Sequence, residues 1–115
     1  MKGHEIAENL RNTELKWTRY RYYNEHQKSF CVLGLKAHEF GVSTTTLKKF
    51  QSELVESLFD IPQEMARRIA ILQRINDKSH SKEELILELE SLRNYDMDFP
   101  VEEFIEWCKS QKMYV

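Results

Sequence analysis

The chain has 115 residues, of which 41% are hydrophobic and 31% are charged, and its formal net charge is −2. This length supports one hydrophobic core, so we expect a single globular domain over residues 1–115. The longest apolar runs fall far short of the roughly 20 residues that span a bilayer, and the first ten residues lack an apolar secretory segment. We therefore expect a cytoplasmic protein without a membrane span.

The first predicted elements are a helix and a hairpin. Only three glycines and two prolines are present, which favours helices over a many-stranded sheet. A helix is predicted over residues 2–11, where Ile6, Ala7 and Leu10 share one face. In the following segment, arginines and tyrosines alternate with period two before the polar stretch NEHQ, which is typical of a β-hairpin. A continuation of the first helix is the alternative for this segment.

Helical spacing dominates the rest of the chain. A helix over residues 30–40 is predicted to stop at Gly41, and Ser43 is expected to cap another that runs to about residue 58. Pro62 suits the first turn of the next helix, and Ser81-x-x-Glu84 is a capping box for a helix through residue 92. A last helix is predicted over residues 101–112. The inward positions of the four later helices are expected to be Leu47, Phe50, Leu54, Leu58; Met65, Ile69, Leu72, Ile75; Leu85, Leu89, Leu92; and Phe104, Trp107, Cys108. The fold class is therefore mainly α: a small compact bundle of five to six short helices with one β-hairpin near residues 17–31.

A helix-turn-helix is one interpretation of residues 29–51. This motif needs a small residue in its first helix, a glycine turn and apolar locking residues, and the chain offers Ala37, Gly41, Val42, Leu47 and Phe50. The second helix would present its threonines and lysines to a DNA groove and to the phosphates. These candidate DNA-binding residues are Thr44, Thr45, Thr46, Lys48 and Lys49. Arg, Asn and Gln, which read bases in bidentate fashion, are missing from the start of that helix.

The densest aromatic and arginine cluster of the chain suggests a protein-binding surface instead. Tyr, Trp and Arg dominate the residues that carry binding energy at interfaces, and they also stack on unpaired bases. The candidate partner-binding residues are Trp17, Arg19, Tyr20, Arg21, Tyr22 and Tyr23. Residues 1–35 hold six Lys or Arg against four Asp or Glu, whereas residues 75–115 hold five against ten. A basic front of this kind could attract an acidic partner or a nucleic acid. The alternative is that one aromatic face packs on the helices while the arginines are solvated.

Two segments resemble a family of small proteins of bacteriophages and bacteria. FCVLGLKAHEFG resembles the pattern F-C-C-L-G-V-L-C-D-x-A-G, through Phe30, Cys31, Leu33, Gly34 and Gly41. A later pattern, L-N-D-x-G-x-S-F-x-E-I-A, is matched at Ile75, Asn76, Asp77, Ser81, Glu84 and Leu85. Val32 stands where the family has a second cysteine and Lys82 where it has an aromatic residue. The resemblance implies a compact helical domain of phage or mobile-element origin, and it carries no catalytic residues over to this chain.

Catalysis and metal binding have little support. Cys31 and Cys108 form no C-x-x-C pair, and the four histidines lack partners at the spacing of metal ligands, so we treat the histidines as surface residues. Cys31 at a helix start could have a lowered pKa, but His38 lies about 10 Å further along that helix. Asn76 and Asp77 are interpreted as a helix end. We expect no enzyme, no metal site and no cofactor.

The sequence thus predicts a non-catalytic phage or bacterial accessory protein that binds another macromolecule. We expect the partner to be a host protein that the chain inhibits or modulates. The alternative function is a helix-turn-helix regulator that binds DNA in a sequence-specific manner. The sequence leaves the oligomeric state open.

Overall fold

The computed structural model describes residues 1–49 and 62–110, and this part of the chain contains six helices and one short strand pair. The elements in chain order are α1 (Gly3–Asn12), β1 (Lys16–Trp17), β2 (Ser29–Phe30), α2 (Val32–Glu39), α3 (described over 44–49), α4 (Gln63–Lys78), α5 (Lys82–Glu90) and α6 (Val101–Ser110). The predicted fold class, a small and mainly α bundle, is confirmed. Among these residues, no helix has the length and the apolar composition needed to cross a membrane.

The core is assembled from the apolar faces that the helical periodicity predicts. Ile6 and Leu10 of α1 are fully buried against α5, where Leu85 and Leu89 are fully buried as well. The side chain of Phe104 closes the same core from α6. Because each helix is apolar on one face only, the helices are stable together rather than singly.

The predicted hairpin is wrong in its topology. Strands β1 and β2 pair in parallel, with Lys16 opposite Ser29 and Trp17 opposite Phe30. The connection between them includes a turn over residues 25–28, which a short antiparallel bridge between Asn24 and Ser29 closes. The backbone changes direction between the two strands at Tyr20, which has a φ of +67°.

Helix α2 lies within the predicted range of residues 30–40 but begins two residues later, at Val32. Cys31 is the N-cap, and its sulfur accepts a hydrogen bond from the Gly34 N–H (3.5 Å). The Tyr22 backbone crosses α2 at Gly34, where an added Cβ would lie 2.0 Å from the Tyr22 carbonyl oxygen. Gly41 follows the helix with a φ of +102°, the left-handed region that glycine tolerates.

The later helices match the predicted starts better than the predicted ends. The Ser43 hydroxyl accepts the Thr46 N–H (3.1 Å) and so caps α3, but the predicted continuation to residue 58, with Phe50, Leu54 and Leu58, lies outside the described residues. Helix α4 directly follows Pro62. Its Ile69 and Leu72 are buried, and Met65 and Ile75 are partly buried. Helix α6 is described to Ser110, with Cys108 buried and Trp107 partly buried.

Two details around α5 correct the prediction. Ser81 caps this helix by accepting the Glu84 N–H (3.1 Å), as expected, but the Glu84 carboxylate accepts the N–H of His80 (3.2 Å) and not that of Ser81. The helix stops at Glu90, and Leu92 is fully exposed instead of facing inward. Leu92 points to solvent because the chain leaves the helical path before it, so the helical periodicity no longer applies.

Candidate partner-binding surface

Asn76, near the end of α4, holds the aromatic segment against the helices. Its side chain is only 1% exposed, and its Oδ1 accepts both the indole N–H of Trp17 (2.7 Å) and the backbone N–H of Val32 (2.9 Å). Its Nδ2 donates to the Thr18 carbonyl (3.4 Å). One buried amide thus ties β1 and the start of α2 to α4. The prediction that Asn76 and Asp77 end the helix is wrong, because α4 continues to Lys78.

Asp77 sets the conformation of Tyr20. Its Oδ1 accepts the Tyr20 backbone N–H (2.9 Å) and also the Asn76 Nδ2–H (3.0 Å). Tyr20 has a positive φ, which is uncommon for a residue other than glycine. Its side chain is 70% exposed, although tyrosine usually buries much of its surface. The aspartate therefore holds the backbone in a conformation that directs an aromatic ring to solvent.

Arg19 lies against this ring. Its Nε donates to the Asp77 carbonyl (2.9 Å), one of the last carbonyls of α4, where the helix dipole favours a cation. Its Nη2 donates to the Tyr20 hydroxyl (2.6 Å), and the centre of the guanidinium lies 4.8 Å from the ring centroid. Its Nη1 is 3.5 Å from Nδ1 of His80. Side-chain contacts thus hold the ring and the guanidinium together.

The other predicted partner-binding residues divide between surface and core. Arg21 is exposed, and its carbonyl accepts the Cys31 N–H (3.0 Å). Trp17 and Tyr23 are partly buried. Tyr22 is only 4% exposed, its hydroxyl accepts Gln73 Nε2–H (2.8 Å), and burial raises its pKa above the ordinary value. Tyr22 is therefore a core residue and cannot contact a partner directly.

We name Arg19, Tyr20 and Arg21 the Arg-Tyr surface. Its support by Asp77 and His80 was not predicted from the sequence. The Tyr20–Asp77 hydrogen bond joins residues 57 positions apart, and no local pattern signals a contact over that separation. The resemblance did single out Asp77 as part of a motif, but without indicating what it contacts.

The alternative DNA-binding residues lie on α3 and its start. Ala37, Val42 and Leu47, which flank the exposed Gly41 in the chain, are buried, as the joint of a helix-turn-helix requires. Thr45 is exposed and Thr44 is half-buried, whereas the Thr46 hydroxyl is hydrogen-bonded to that of Ser43 (2.9 Å).

The two lysines of α3 are both engaged. Lys48 forms an exposed ion pair with Glu25 (2.9 Å), whose pKa is lowered by the hydrogen bond from this lysine. Lys49 is half-buried and also has a partner. Neither lysine therefore offers an unengaged cation to a phosphate.

The cysteines and histidines show no catalytic arrangement. Burial raises the pKa of Cys31 and of Cys108 to about 12, so the lowered pKa considered for Cys31 is wrong. His38 is half-buried rather than a surface residue: it stacks on Phe30 and its Nδ1–H donates to the Val42 carbonyl (3.0 Å). Within residues 1–49 and 62–110, no group of three His, Cys, Asp or Glu side chains could hold a metal ion.

Comparison with known proteins finds no match to a family model, to a curated protein or to a solved structure.

Proposed function

We propose that the chain acts without catalysis as an accessory protein that binds another protein through the Arg-Tyr surface. The observation that carries this proposal is the exposed Tyr20 ring, which Asp77 fixes through the backbone and Arg19 fixes through the side chain. Tyrosine and arginine contribute most of the binding energy at many interfaces, and an ordered aromatic ring loses little entropy on binding. The partner that we expect has an acidic surface around a recess for an aromatic ring.

The resemblance to phage and bacterial proteins supports a host protein as the partner, with inhibition or modulation as the outcome. The basic front of the sequence fits this proposal, because exposed arginines accelerate association with an acidic protein. The buried thiols, which a nucleophilic mechanism would need as accessible thiolates, favour a non-catalytic role.

The test is affinity capture from a host lysate treated with nuclease, followed by affinity measurements on the purified partner. Tyr20→Ala and Arg21→Ala are each expected to weaken the complex by about 30-fold, the effect of losing roughly 2 kcal/mol at a central contact. Both side chains are exposed, so the variants should keep the wild-type circular dichroism spectrum.

Tyr95→Ala is the matched control, since Tyr95 is an exposed tyrosine that stacks on His4 and lies outside the Arg-Tyr surface. Its affinity for the partner should equal that of the wild type. A captured partner that binds Tyr20→Ala, Arg21→Ala and Tyr95→Ala equally well would refute the proposed surface.

DNA binding is the second candidate, and the buried joint around Gly41 favours it. Duplex DNA affinity that falls steeply with salt, and that falls further in Lys48→Glu and Lys49→Glu, would support this function. Lys48 would have to leave Glu25 to reach a phosphate. We therefore rank DNA binding below protein binding.

A further inference from the structure

A cleft between α4, α5 and residues 91–97 shares no residue with the Arg-Tyr surface. Its volume is about 330 Å³, within the range of clefts that hold small molecules, roughly 300–1,000 Å³. Its apolar floor consists of Ile71, Ile75 and Met97, which pack on the core but stay partly exposed to the cleft.

Three cations line the same cleft. Arg74 and Lys78 are one helical turn apart on α4, and Arg93 follows α5. Among the residues that the structure describes, none of the three side chains takes part in a hydrogen bond or an ion pair. Arg74 and Lys78 repel each other at this spacing, so an anion between them would be stabilised.

The two carboxylates of the cleft have hydrogen-bond donors already. Glu84 accepts the backbone N–H of His80 (3.2 Å), and Glu88 accepts the side-chain N–H of Asn94 (3.2 Å). Neither carboxylate forms an ion pair with any of the three cations. The cleft thus combines an apolar floor with cations that have no anionic partner.

We propose that this cleft binds a small amphipathic anion. The apolar body of the ligand lies on the floor, and its carboxylate or phosphate group lies between the three cations. Guanidinium groups suit both headgroups, because they donate paired hydrogen bonds to two oxygens of one anion. This inference does not depend on the proposed protein partner, since the cleft and the Arg-Tyr surface share no residue.

The probes are octanoate and octyl phosphate, compared with octanol and octylamine, which have the same chain and lack the negative charge. Each probe is titrated into the ¹⁵N-labelled 115-residue protein and followed by amide chemical shifts. Both anions are expected to bind saturably, to shift the resonances of Ile71, Ile75 and Met97, and to bind about tenfold more tightly than octanol or octylamine. A preference between octanoate and octyl phosphate identifies the headgroup.

Arg93→Gln and Arg74→Gln are expected to weaken octanoate binding by about tenfold, because each removes a charged donor to the headgroup. Arg67→Gln is the matched control: it makes the same charge change on α4, at an exposed residue outside the cleft. Tyr20→Ala should bind octanoate as the wild type does, which separates this test from that of the protein partner. Octanol binding as tightly as octanoate, equal effects of Arg93→Gln and Arg67→Gln, or shifts confined to residues outside the cleft would each overturn the proposal.

Discussion

Replacing Asn76 by alanine should destabilise the fold more than replacing an exposed polar residue would, because Asn76 is buried and hydrogen-bonded. The change leaves the Trp17 indole N–H and the Val32 backbone N–H without their acceptor. A buried donor left without a partner costs about 1–3 kcal/mol, and the Val32 N–H is fully buried whereas the indole is partly buried. We expect the free energy of unfolding to fall by about 2–4 kcal/mol, a large share of the roughly 5–15 kcal/mol that holds an ordinary domain together.

The measurement is urea unfolding followed by circular dichroism at 222 nm, with Asn12→Ala as the control. Asn12 is exposed and its amide donates only to the exposed Glu8 carboxylate, so its replacement should change stability by less than about 0.5 kcal/mol. Trp17→Phe keeps an aromatic ring and removes the indole donor. Because the two residues share a hydrogen bond, the losses in Asn76→Ala and Trp17→Phe should be non-additive by about 1 kcal/mol in the double variant. Additive losses, or a loss below about 1 kcal/mol in Asn76→Ala, would refute the assigned role of Asn76.

The remaining predictions concern a close backbone contact and two buried thiols. Gly34→Ala should lower the free energy of unfolding by about 3 kcal/mol or more, because its Cβ would lie 2.0 Å from the Tyr22 carbonyl oxygen. Gly41→Ala meets open space and should lose only about 1–2 kcal/mol, because the residue has a positive φ. Thermal melts of both variants check this order. Cys31 and Cys108 should resist Ellman's reagent at pH 8 until denaturant is added, because both are buried and their pKa is raised to about 12; a fast native reaction would contradict this. The unfolded chain releases these thiol protons near pH 9, whereas the folded chain does not. The free energy of unfolding should therefore fall between about pH 9 and 12, by up to about 1.4 kcal/mol per pH unit for each thiol. In urea titrations, a Cys31→Ala, Cys108→Ala double variant should show a flatter decline over this pH range.

Local patterns in the sequence predict the helices and most of the residues at which they start. The spacing of Ile6, Ala7 and Leu10 predicts the buried face of α1, and a hydroxyl at Ser43 and at Ser81 marks the start of a helix because it can accept a free N–H of the first turn. Such features depend on residues within one or two helical turns. A single sequence is therefore sufficient to predict them.

Tertiary structure decides which aromatic side chains lie at the surface. Tyr20 and Tyr22 are two residues apart in one alternating pattern, yet Tyr20 is exposed and Tyr22 is in the core. The difference arises from contacts with α4, through Asp77 to the Tyr20 backbone and through Gln73 to the Tyr22 hydroxyl. Composition could therefore single out the aromatic segment but not which of its residues lie at the surface.

The direction of the strand pairing also depends on tertiary structure. The alternation of residues 17–23 predicts β-structure, but the direction of the partner strand depends on where the chain turns. The Asp77 carboxylate, 57 residues away, accepts the N–H of Tyr20 at that turn, and the bridging amide of Asn76 lies 59 residues from Trp17. The sequence alone thus determined a mainly α bundle with most of its helix starts and inward faces, because these depend on short-range chemistry. The parallel strand pair, the exposed Tyr20 and the cationic cleft exist only once residues distant in the chain are brought together by the burial of the core.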